Sequence, residues 1–379
     1  MTASRIAIVL TGGGARAAYQ IGVLQGIARR FPDVSFDVVT GVSAGAINAM
    51  YLAAGTGSTA ENLLALQDLW ENLEIDHVFR VDSGSLPRNV LSWGMRLLSG
   101  GHSAPRVQGL VDTSPLRALL ERIFHCTPDG YIGGIEENLA RGGPAAVAVT
   151  TLDYSTGRTV TWIAGDGGHL WERPMRRSVR ARFTIDHVMA SAALPILFPA
   201  VKVGNSWHGD GGIRLAAPLS PALHLGADRI IAISTRFAKT FDEAEQPQTI
   251  GYPPPAQILG QLMNAVFLDA LDEDALSLER SNALLRELPP EKRGSFRLID
   301  LLVIRPSVDL GKLAGDFEPR LPRGFRFLMR GLGTRETSSP DFLSLLMFQK
   351  DYLRRLLSLG EADATSRLDA IGKLLASNS

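Results

Sequence analysis

The chain has 379 residues, of which 45% are hydrophobic and 21% charged, and Lys plus Arg (39) equals Asp plus Glu (39). This composition excludes an intrinsically disordered chain, and the balanced charge argues against nucleic-acid binding driven by overall charge. The length fits two domains, or one large α/β domain with additions.

Cysteine content and the N-terminal residues indicate a cytoplasmic protein. Cys126 is the only cysteine, so the chain has no intrachain disulfide and no cysteine-rich zinc site, and we predict that this thiol is buried in the core. The apolar run Ile6–Leu10 is too short for the hydrophobic part of a signal peptide. No stretch approaches the roughly 18 uninterrupted apolar residues of a membrane span, so we expect any contact with lipid to be peripheral.

The N-terminal segment is predicted to form a βαβ unit. Ile6–Leu10 is typical of a buried parallel strand, and apolar residues spaced four apart predict a helix over Ala15–Arg30. A second strand is predicted over Phe36–Thr40, followed by a helix of small residues over Ala44–Ala54. Because such crossovers are right-handed, we expect the two strands to be parallel neighbours whose following turns open at one edge of the sheet.

Further elements are predicted as far as residue 235. The segment 83–112 is interrupted by Gly, Ser and Pro but carries large apolar side chains, which predicts either a mobile flap over a cleft or an irregular surface connection. The other elements are a helix over Glu61–Leu73, a helix over Ser114–Phe124, a hairpin of strands Ala145–Leu152 and Arg158–Ala164, a helix over Ile185–Ala193 and a strand over Arg229–Thr235.

The composition changes after residue 235. A Pro-rich linker precedes a long helical pattern that includes Ile258, Leu262 and Leu271, and the apolar stretch LIDLLVIRP predicts another strand. A helical tail is predicted over Pro340–Leu357. Its apolar face is expected to pack on the protein itself rather than on a membrane.

The stretch GVSAG, Gly41–Gly45, matches the GxSxG pattern of a nucleophile elbow. The pattern alone is weak in a glycine-rich chain, but here a strand precedes it and a small-residue helix follows, as the elbow requires. The turn would present the Ser43 hydroxyl at the positive end of the next helix. We therefore predict Ser43 as a nucleophile; the alternative is a packing turn in which the serine caps the helix.

Three consecutive glycines, Gly12, Gly13 and Gly14, follow the first strand. A serine nucleophile needs N–H donors for the oxyanion that forms when it attacks an ester, and this loop can supply them from the neighbouring turn. A dinucleotide site is the rival interpretation, because Gly12, Gly14 and Ala17 satisfy GxGxxG/A. That site needs an acidic residue where this second strand ends in Thr40, and no GK[ST] follows for a Walker-type loop, so oxyanion stabilisation is favoured.

The serine also needs a base, and the sequence offers two candidates. In the α/β-hydrolase order Ser, Asp, His, the only histidine after Asp210 is His224, but that fold places its nucleophile after several strands. The other candidate is the carboxylate of Asp210 itself, which lies in WHGDGGI between glycines that would let a second loop approach. Asp-Gly is also a common surface turn, so the residues alone leave a pair and a triad open.

Other groups that could hold a ligand are few. Arg16 stands beside the glycine loop, where its guanidinium can anchor the loop to backbone carbonyls or meet an anionic headgroup. The seven histidines are scattered and the chain has no HExxH, so we expect no metal site.

Four segments, in this order and spacing, resemble the patatin-like phospholipase family over roughly residues 5 to 235: GGGARAAYQIGVL, GVSAGAINA, DHVMASAALPILFPAV and GDGG. Its bacterial members are similar also in DTSPL and in the helical tail. The resemblance implies a three-layer α/β/α fold with a mostly parallel central sheet. It implies a catalytic domain over residues 5–235, with a helix-rich C-terminal region over residues 236–379 packed on it.

The same resemblance implies a Ser-Asp dyad without a histidine. The nucleophile of the family falls on Ser43, its base on Asp210 and its oxyanion loop on Gly12–Gly14, with Arg16 beside the loop. Many members have glycine where this chain has Ala17, a small departure.

We therefore expect a serine acyl hydrolase that cleaves lipid carboxylic esters through an acyl-enzyme, of phospholipase A or lysophospholipase type. The expected partners are a lipid or phospholipid substrate and, peripherally, a membrane, with no nucleic acid and no cofactor; the oligomeric state is not predicted. The alternatives are a Ser-His-Asp triad esterase and a nucleotide-binding protein that uses the Gly12–Gly14 loop.

Overall fold

The computed structural model describes residues 4–80, 109–166 and 168–376. The flap or surface connection predicted over residues 83–112 lies outside the described residues, apart from residues 109–112. The strands of the described residues are β1 Arg5–Leu10, β2 Val38–Val42, β3 Ala146–Asp153, β4 Thr159–Gly165, β5 Glu172–Arg173, β6 Arg176–Arg180, β7 Val201–Val203, β8 Ser206–Asp210, β9 Ala227–Ile233 and β10 Asp300–Ile304.

Helices connect these strands and follow them. Those of the described residues are α1 Ala18–Arg30, α2 Ala44–Ala54, α3 Thr59–Glu71, α4 Ile75–Val78, α5 Ser114–Ile123, α6 Ile135–Ala140, α7 Ile185–Ser191, α8 Ser220–His224, α9 Phe241–Glu245, α10 Pro255–Phe267, α11 Asp269–Glu287, α12 Leu310–Phe317, α13 Arg323–Gly331, α14 Asp341–Leu346, α15 Lys350–Thr365 and α16 Leu368–Ala376. Short 3₁₀ turns cover Gly14–Ala17, Gly211–Arg214, Pro290–Lys292 and Glu318–Arg320.

The strands form one sheet with the order β10-β9-β1-β2-β3-β4-β6-β5, and β8 adds to β3 with β7 beside it. The strands from β10 to β3 are parallel, and β4 and β8 pair with β3 in the antiparallel sense. Leu10 pairs with Gly41, so the predicted parallel neighbours are confirmed and the glycine loop lies beside the GxSxG turn. Thr151 pairs with Asp210, which brings the aspartate to the same region of the sheet.

Helices cover both faces of the sheet. Along β1, Ile8 and Leu10 belong to the larger hydrophobic cluster, which includes side chains of α1, α2 and α15. Ala7 and Val9 belong to a second cluster, which includes side chains of α8 and α11. Because successive strand residues point to opposite faces, this alternation makes the sheet the middle layer of three. The predicted three-layer α/β/α fold with a mostly parallel sheet is confirmed.

The region after residue 235 is joined closely to this sheet. The strand predicted from LIDLLVIRP is present as β10 and pairs with β9 in parallel, and α15 packs lengthwise on α1. The two helices approach closely because Gly22 and Gly360 face each other's backbones, where a Cβ atom on either would collide with a carbonyl oxygen. The apolar tail face is buried in the protein as predicted: Leu345, Leu346, Phe348, Leu353 and Leu356.

Two sequence-based predictions differ from the structure. The long helical pattern is two helices, α10 and α11, which meet at Leu268, where φ of −117° departs from helical values. The predicted tail helix is likewise divided into α14 and α15, with Met347–Gln349 between them.

The prediction that Cys126 is a buried core residue is wrong, because its thiol is exposed. Cys126 lies in an extended stretch that bridges to Ile132, directly after helix α5. The neighbouring side chains Phe124 and Ile132 occupy the core positions, and the cysteine projects away from them. Among the described residues, no helix is long and apolar enough to cross a bilayer.

Candidate active site

Ser43 lies at the sharp turn between β2 and α2. Its φ of 57° and ψ of −135° are strained for a residue with a side chain, as in a nucleophile elbow. A Cβ atom on Gly45 would collide with the carbonyl oxygens of Leu10 and Thr11, and one on Gly41 with Ala49. Gly45 is therefore required by the close packing of the elbow against the end of β1, and Gly41 by its contact with α2.

Helix α7 and strand β3 also hold the Ser43 turn, through Ser191. Its backbone N–H donates a 3.0 Å hydrogen bond to Ser191 Oγ, and that hydroxyl donates to the carbonyl of Thr150. Helix α7 and strand β3 thus fix the strained turn in place. Neither of these two hydrogen bonds uses the Ser43 hydroxyl, which lies beside Asp210.

The loop Gly12–Gly14 lies against the elbow. A Cβ atom on Gly12 would lie 3.0 Å from Ser43 Cβ and 3.5 Å from Ser43 Oγ. The carbonyl of Gly12 accepts a 2.8 Å hydrogen bond from Thr235 Oγ1, and the carbonyl of Gly13 accepts one from the N–H of Arg16 at 3.0 Å.

The loop Gly12–Gly14 also has backbone N–H groups without a partner in the described residues. Within the described part of the chain, the N–H groups of Gly13 and Gly14 donate no hydrogen bond to the protein. Gly13 has φ of 150° and Gly14 φ of 55°, a conformation that favours glycine. Two unpaired backbone donors beside a serine hydroxyl are the arrangement of an oxyanion hole.

Asp210 ends strand β8 and is completely buried. Its Oδ1 accepts a 2.9 Å hydrogen bond from the N–H of Gly212, while Oδ2 has no hydrogen-bond partner among the described residues. Burial raises the pKa of Asp210 to about 7, and the nearby Ser43 hydroxyl and the Gly212 N–H only partly oppose that rise. A carboxylate that is buried, close to the serine and short of one partner is disposed to accept a proton at neutral pH.

An apolar cavity begins at Ser43 and the two free glycine donors. Its volume is about 60 Å³, so side chains must move apart to admit a long acyl chain. The part before residue 235 contributes mainly leucines, isoleucines and aromatic side chains of α2, α3, α5 and the segment after α7. The C-terminal region contributes Phe267, Leu345, Leu346 and Phe348.

Arg16 joins the oxyanion loop to the C-terminal region. The guanidinium is buried and donates to Asp341 Oδ1 at 2.5 Å and to Ser344 Oγ at 2.6 Å. A Cβ atom on Gly14 would collide with the Leu345 carbonyl, so α14 lies directly against the loop. The geometry fits the loop-anchor interpretation of Arg16, since a buried, paired guanidinium has little surface left for a headgroup.

His224 lies apart from this constellation. Its ring stacks on Trp171 with the ring centroids 4.4 Å apart, and burial lowers its pKa, with Arg173, Arg176 and Arg297 adding to the effect. No hydrogen bond joins His224 to Ser43 or to Asp210 in the described residues. The structure therefore brings Ser43, Asp210 and the glycine loop together, and it does not bring His224 to them.

Several residues of the site were missed from the sequence. Phe267 covers the site from helix α10: a Cβ atom on Gly12 would lie 3.7 Å from its ring, and one on Gly212 would collide with it. Phe267 and Asp341, which anchors Arg16, stand in predicted helical stretches, but no motif there connected either residue to the glycine loop. Ser191 lay within DHVMASAALPILFPAV, but no spacing rule connected it to the elbow.

No group of three or more His, Cys, Asp or Glu side chains in the described ranges is arranged to hold a metal ion. The site as described consists of a serine, a buried carboxylate, two backbone donors and an apolar cavity.

The chain resembles known proteins both in sequence and in structure. The family model described as patatin-like phospholipase matches residues 8–223. No curated protein sequence matches the chain.

Among solved structures, human GIVD cytosolic phospholipase A2 in complex with methyl γ-linolenyl fluorophosphonate is similar at 14% identity and a TM-score of 0.48. The alignment covers 99% of this chain and 59% of the human chain, so this chain spans about three fifths of that length. The type III effector protein ExoU is similar at 15% identity and a TM-score of 0.37, over 97% of this chain and 53% of ExoU. VipD from Legionella pneumophila is similar at 14% identity and a TM-score of 0.33, over 93% of this chain and 67% of VipD.

Proposed function

Because the chain belongs to the patatin-like phospholipase family, we propose that it is a serine hydrolase of lipid carboxylic esters, with Ser43 as nucleophile and Asp210 as base. The observation that carries the proposal is a convergence at one end of an apolar cavity. There the strained serine and two glycines line the cavity and an aspartate lies beside the serine; the two glycine N–H groups and one aspartate oxygen have no partner among the described residues. None of these features is expected to stabilise the folded chain, which argues for a functional reason to keep them. Together they provide the groups that acyl transfer needs.

The first half of the reaction forms the acyl-enzyme. Ser43 Oγ attacks the ester carbonyl carbon while its proton passes to Asp210 Oδ2. The carbonyl oxygen becomes an oxyanion, which accepts hydrogen bonds from the N–H groups of Gly13 and Gly14. The tetrahedral intermediate then expels the alcohol, which takes the proton from Asp210, and the acyl group stays on Ser43.

The second half releases the acid. A water molecule gives its proton to Asp210 as it attacks the acyl carbon, and the same two N–H groups stabilise the second oxyanion. Collapse of this intermediate returns the proton to Ser43 Oγ and releases the fatty acid. This route needs no metal and no cofactor.

The shape of the site supports a lipid rather than a polar ester. The cavity beside Ser43 has walls of leucine, isoleucine and phenylalanine, which match an acyl chain and offer nothing to a sugar or a nucleotide. Gly13 and Gly14 line this apolar cavity, which argues against the nucleotide-binding alternative for the loop. We propose a phospholipid or a lysophospholipid as the substrate class.

The two parts of the chain are proposed to have different roles in the site. We propose residues 5–235 as the catalytic domain and residues 236–379 as a region that packs on it, closes the acyl cavity and anchors the oxyanion loop. Phe267 and Leu345 line the cavity, and Asp341 binds Arg16, which supports this assignment.

A panel of diacyl and monoacyl phospholipids tests the proposal. Purified protein is expected to release free fatty acid from at least one class, detected by mass spectrometry. A protein that labels with nucleotide analogues and releases no acid from any lipid would contradict it.

Hydrolysis of a water-soluble ester is expected to increase with pH through a midpoint near 7 and then to level off. The reason is that only the ionised carboxylate of Asp210 can take the Ser43 proton, and burial raises its pKa to about 7. The measurement is kcat/KM from about pH 5 to about pH 9, which reports groups of the free enzyme. A midpoint near the ordinary aspartate value of about 4, or a flat profile, would contradict the assignment.

Replacing His224 with alanine is expected to change kcat/KM by less than about threefold, because the ring stacks on Trp171 and touches neither member of the dyad. Steady-state rates on the same soluble ester measure this, with near-UV circular dichroism as the control for folding. A triad esterase predicts instead a loss as large as that from replacing the serine. Such a loss in a folded variant would transfer the base to His224.

A further inference from the structure

A long uncharged segment lies on the surface of the C-terminal region. From Gln246 to Leu268 the sequence has no Asp, Glu, Lys or Arg, although Glu245 and Asp269 flank it directly. Ile250 is fully exposed and Tyr252 is 90% exposed. Exposed segments of this length ordinarily carry charged residues. A segment without charge that exposes large apolar side chains therefore indicates a contact surface.

Helix α10, within this segment, has no charged side chain and exposes large apolar ones. Its inner side buries Ala256, Gly260 and Phe267. Its outer side exposes Ile258 (44%) and Leu262 (54%), one turn apart. A surface helix of a globular protein normally has a polar outer face with charged side chains, whereas Gln261 is the one exposed polar side chain of α10.

Helix α13 ends beside this segment. The N–H of Ala256 donates to the Leu332 carbonyl at 2.8 Å, and that of Ser338 donates to the Gln248 carbonyl at 2.9 Å, so the uncharged segment is bonded to the chain just after α13. On the exposed face of α13, Phe327 is 82% exposed and Arg323 is one turn away from it. Arg323 has no ion-pair or hydrogen-bond partner in the described residues.

We propose that these side chains form a docking face for an anionic phospholipid surface: Ile250, Tyr252, Ile258, Leu262, Phe327 and Arg323. Exposed aliphatic and aromatic side chains enter the boundary between headgroups and acyl chains, and a neighbouring arginine complements anionic headgroups. An apolar surface whose neighbouring charge is an arginine fits an anionic lipid surface, and residues 246–268 offer no charged group that would give a protein interface its specificity.

The position of this docking face relative to the site supports the same occupant. Phe267, on the last turn of α10, lies over the oxyanion loop and lines the acyl cavity. Leu262 is five residues earlier on the same helix, about 7 Å along its axis. The surface proposed to meet lipid and a wall of the cavity proposed to hold the acyl chain therefore belong to one helix. This inference rests on the proposed function for its choice of lipid.

The test is co-sedimentation of the full chain with vesicles of phosphatidylcholine containing about one third phosphatidylglycerol. All proteins carry Ser43→Ala, so that the vesicles are not consumed. Ile258→Gln combined with Leu262→Gln is expected to weaken binding at least about tenfold, because each buried side chain of this size contributes roughly a tenfold factor. Arg323→Gln is expected to weaken it about three- to fivefold on these vesicles and not at all on pure phosphatidylcholine.

The matched control is Leu284→Gln with Leu64→Gln, two exposed leucines on α11 and α3 outside the docking face. This pair is expected to bind vesicles like the parent. In the background with Ser43 intact, the Ile258/Leu262 variant is expected to hydrolyse a water-soluble ester at the parent rate without vesicles.

The outcomes separate the two proposals. Equal vesicle binding by the Ile258/Leu262 variant and by the control overturns the docking face even if the soluble ester is hydrolysed. Loss of self-association in place of loss of vesicle binding, detected by sedimentation velocity, assigns the face to a second copy of the chain and also overturns it. Vesicle binding that depends on this face in a protein without esterase activity would contradict the proposed function and leave the docking face standing.

Discussion

Replacing Ser43 with alanine is expected to lower the rate of lipid ester hydrolysis by at least about 10³-fold, to the background of the preparation. The variant lacks the oxygen that attacks the ester, which in the wild type lies beside Asp210. The fold should be retained. Alanine keeps the Cβ atom on which Gly12 packs, and the hydrogen bond from the residue 43 N–H to Ser191 does not involve the side chain.

Two measurements check this result. Hydrolysis is followed with a phospholipid and with a soluble ester, and a fluorophosphonate probe should label the wild type at Ser43 but leave the variant unlabelled. Ser358→Ala is the matched control, since Ser358 lies on α15 and its hydroxyl donates to the Arg354 carbonyl within the same helix. Turnover by a clean preparation of Ser43→Ala at more than a few per cent of the wild-type rate would remove the serine from the mechanism.

Replacing Asp210 with asparagine is expected to lower hydrolysis by about 10²- to 10⁴-fold, the range for loss of a general base. Asparagine has nearly the same shape, and its side-chain oxygen can still accept the hydrogen bond from the Gly212 N–H. It cannot take a proton from Ser43. The residual rate should no longer increase through pH 7, because the titrating group is gone.

The same substitution is expected to stabilise the protein at alkaline pH. In the folded chain the pKa of Asp210 is about 7, raised by burial, whereas in the unfolded chain it is about 4. The folded state therefore holds a proton that the unfolded state has lost, and wild-type stability falls as pH rises from about 4 to about 7. Above that range the difference corresponds to about 4 kcal/mol of the free energy of unfolding.

The asparagine side chain of the Asp210→Asn variant is neutral at every pH and avoids this loss. The variant is expected to exceed the wild type by about 2–4 kcal/mol near pH 8.5 and to match it within about 1 kcal/mol near pH 5. Thermal or urea unfolding at the two pH values measures the difference, with the exposed Asp33→Asn as control. Equal stability of Asp210→Asn and wild type at pH 8.5 would contradict the raised pKa of the buried Asp210 carboxyl.

This pairing of lost activity with gained stability is what the geometry of the site leads us to expect. A carboxylate that serves as a base near neutral pH has to be kept away from water and from cations, and this lowers the stability of the folded chain. The Oδ2 atom without a partner and the strained backbone of Ser43 are two places where the chain departs from its most stable local arrangement.

The local elements were well determined by the order of residues along the chain. The apolar runs around Ile8 and Val39, the small-residue helix after Gly45 and the hairpin of β3 and β4 follow from hydrophobic periodicity and turn residues. The adjacency of the glycine loop and the elbow followed as well, because consecutive parallel strands open their turns at one edge.

The division of the helices and the exposure of the one thiol were not determined in this way. Periodicity continues across Leu268, so the break between α10 and α11 has no local signal. Cys126 has the composition of a core residue, and its exposure depends on Phe124 and Ile132 taking the core positions on either side of it.

The sequence by itself therefore determined the family, the layered fold and the residues Ser43, Asp210 and Gly12–Gly14 as candidates, since patterns and spacing are properties of neighbouring residues. Only the tertiary structure decided that Asp210 is fully buried with a raised pKa, that Phe267 closes the cavity and that Arg16 binds Asp341. The physical reason is distance along the chain. Burial and a contact between residues 325 positions apart depend on how the C-terminal helices pack on the sheet, and no local pattern records that packing.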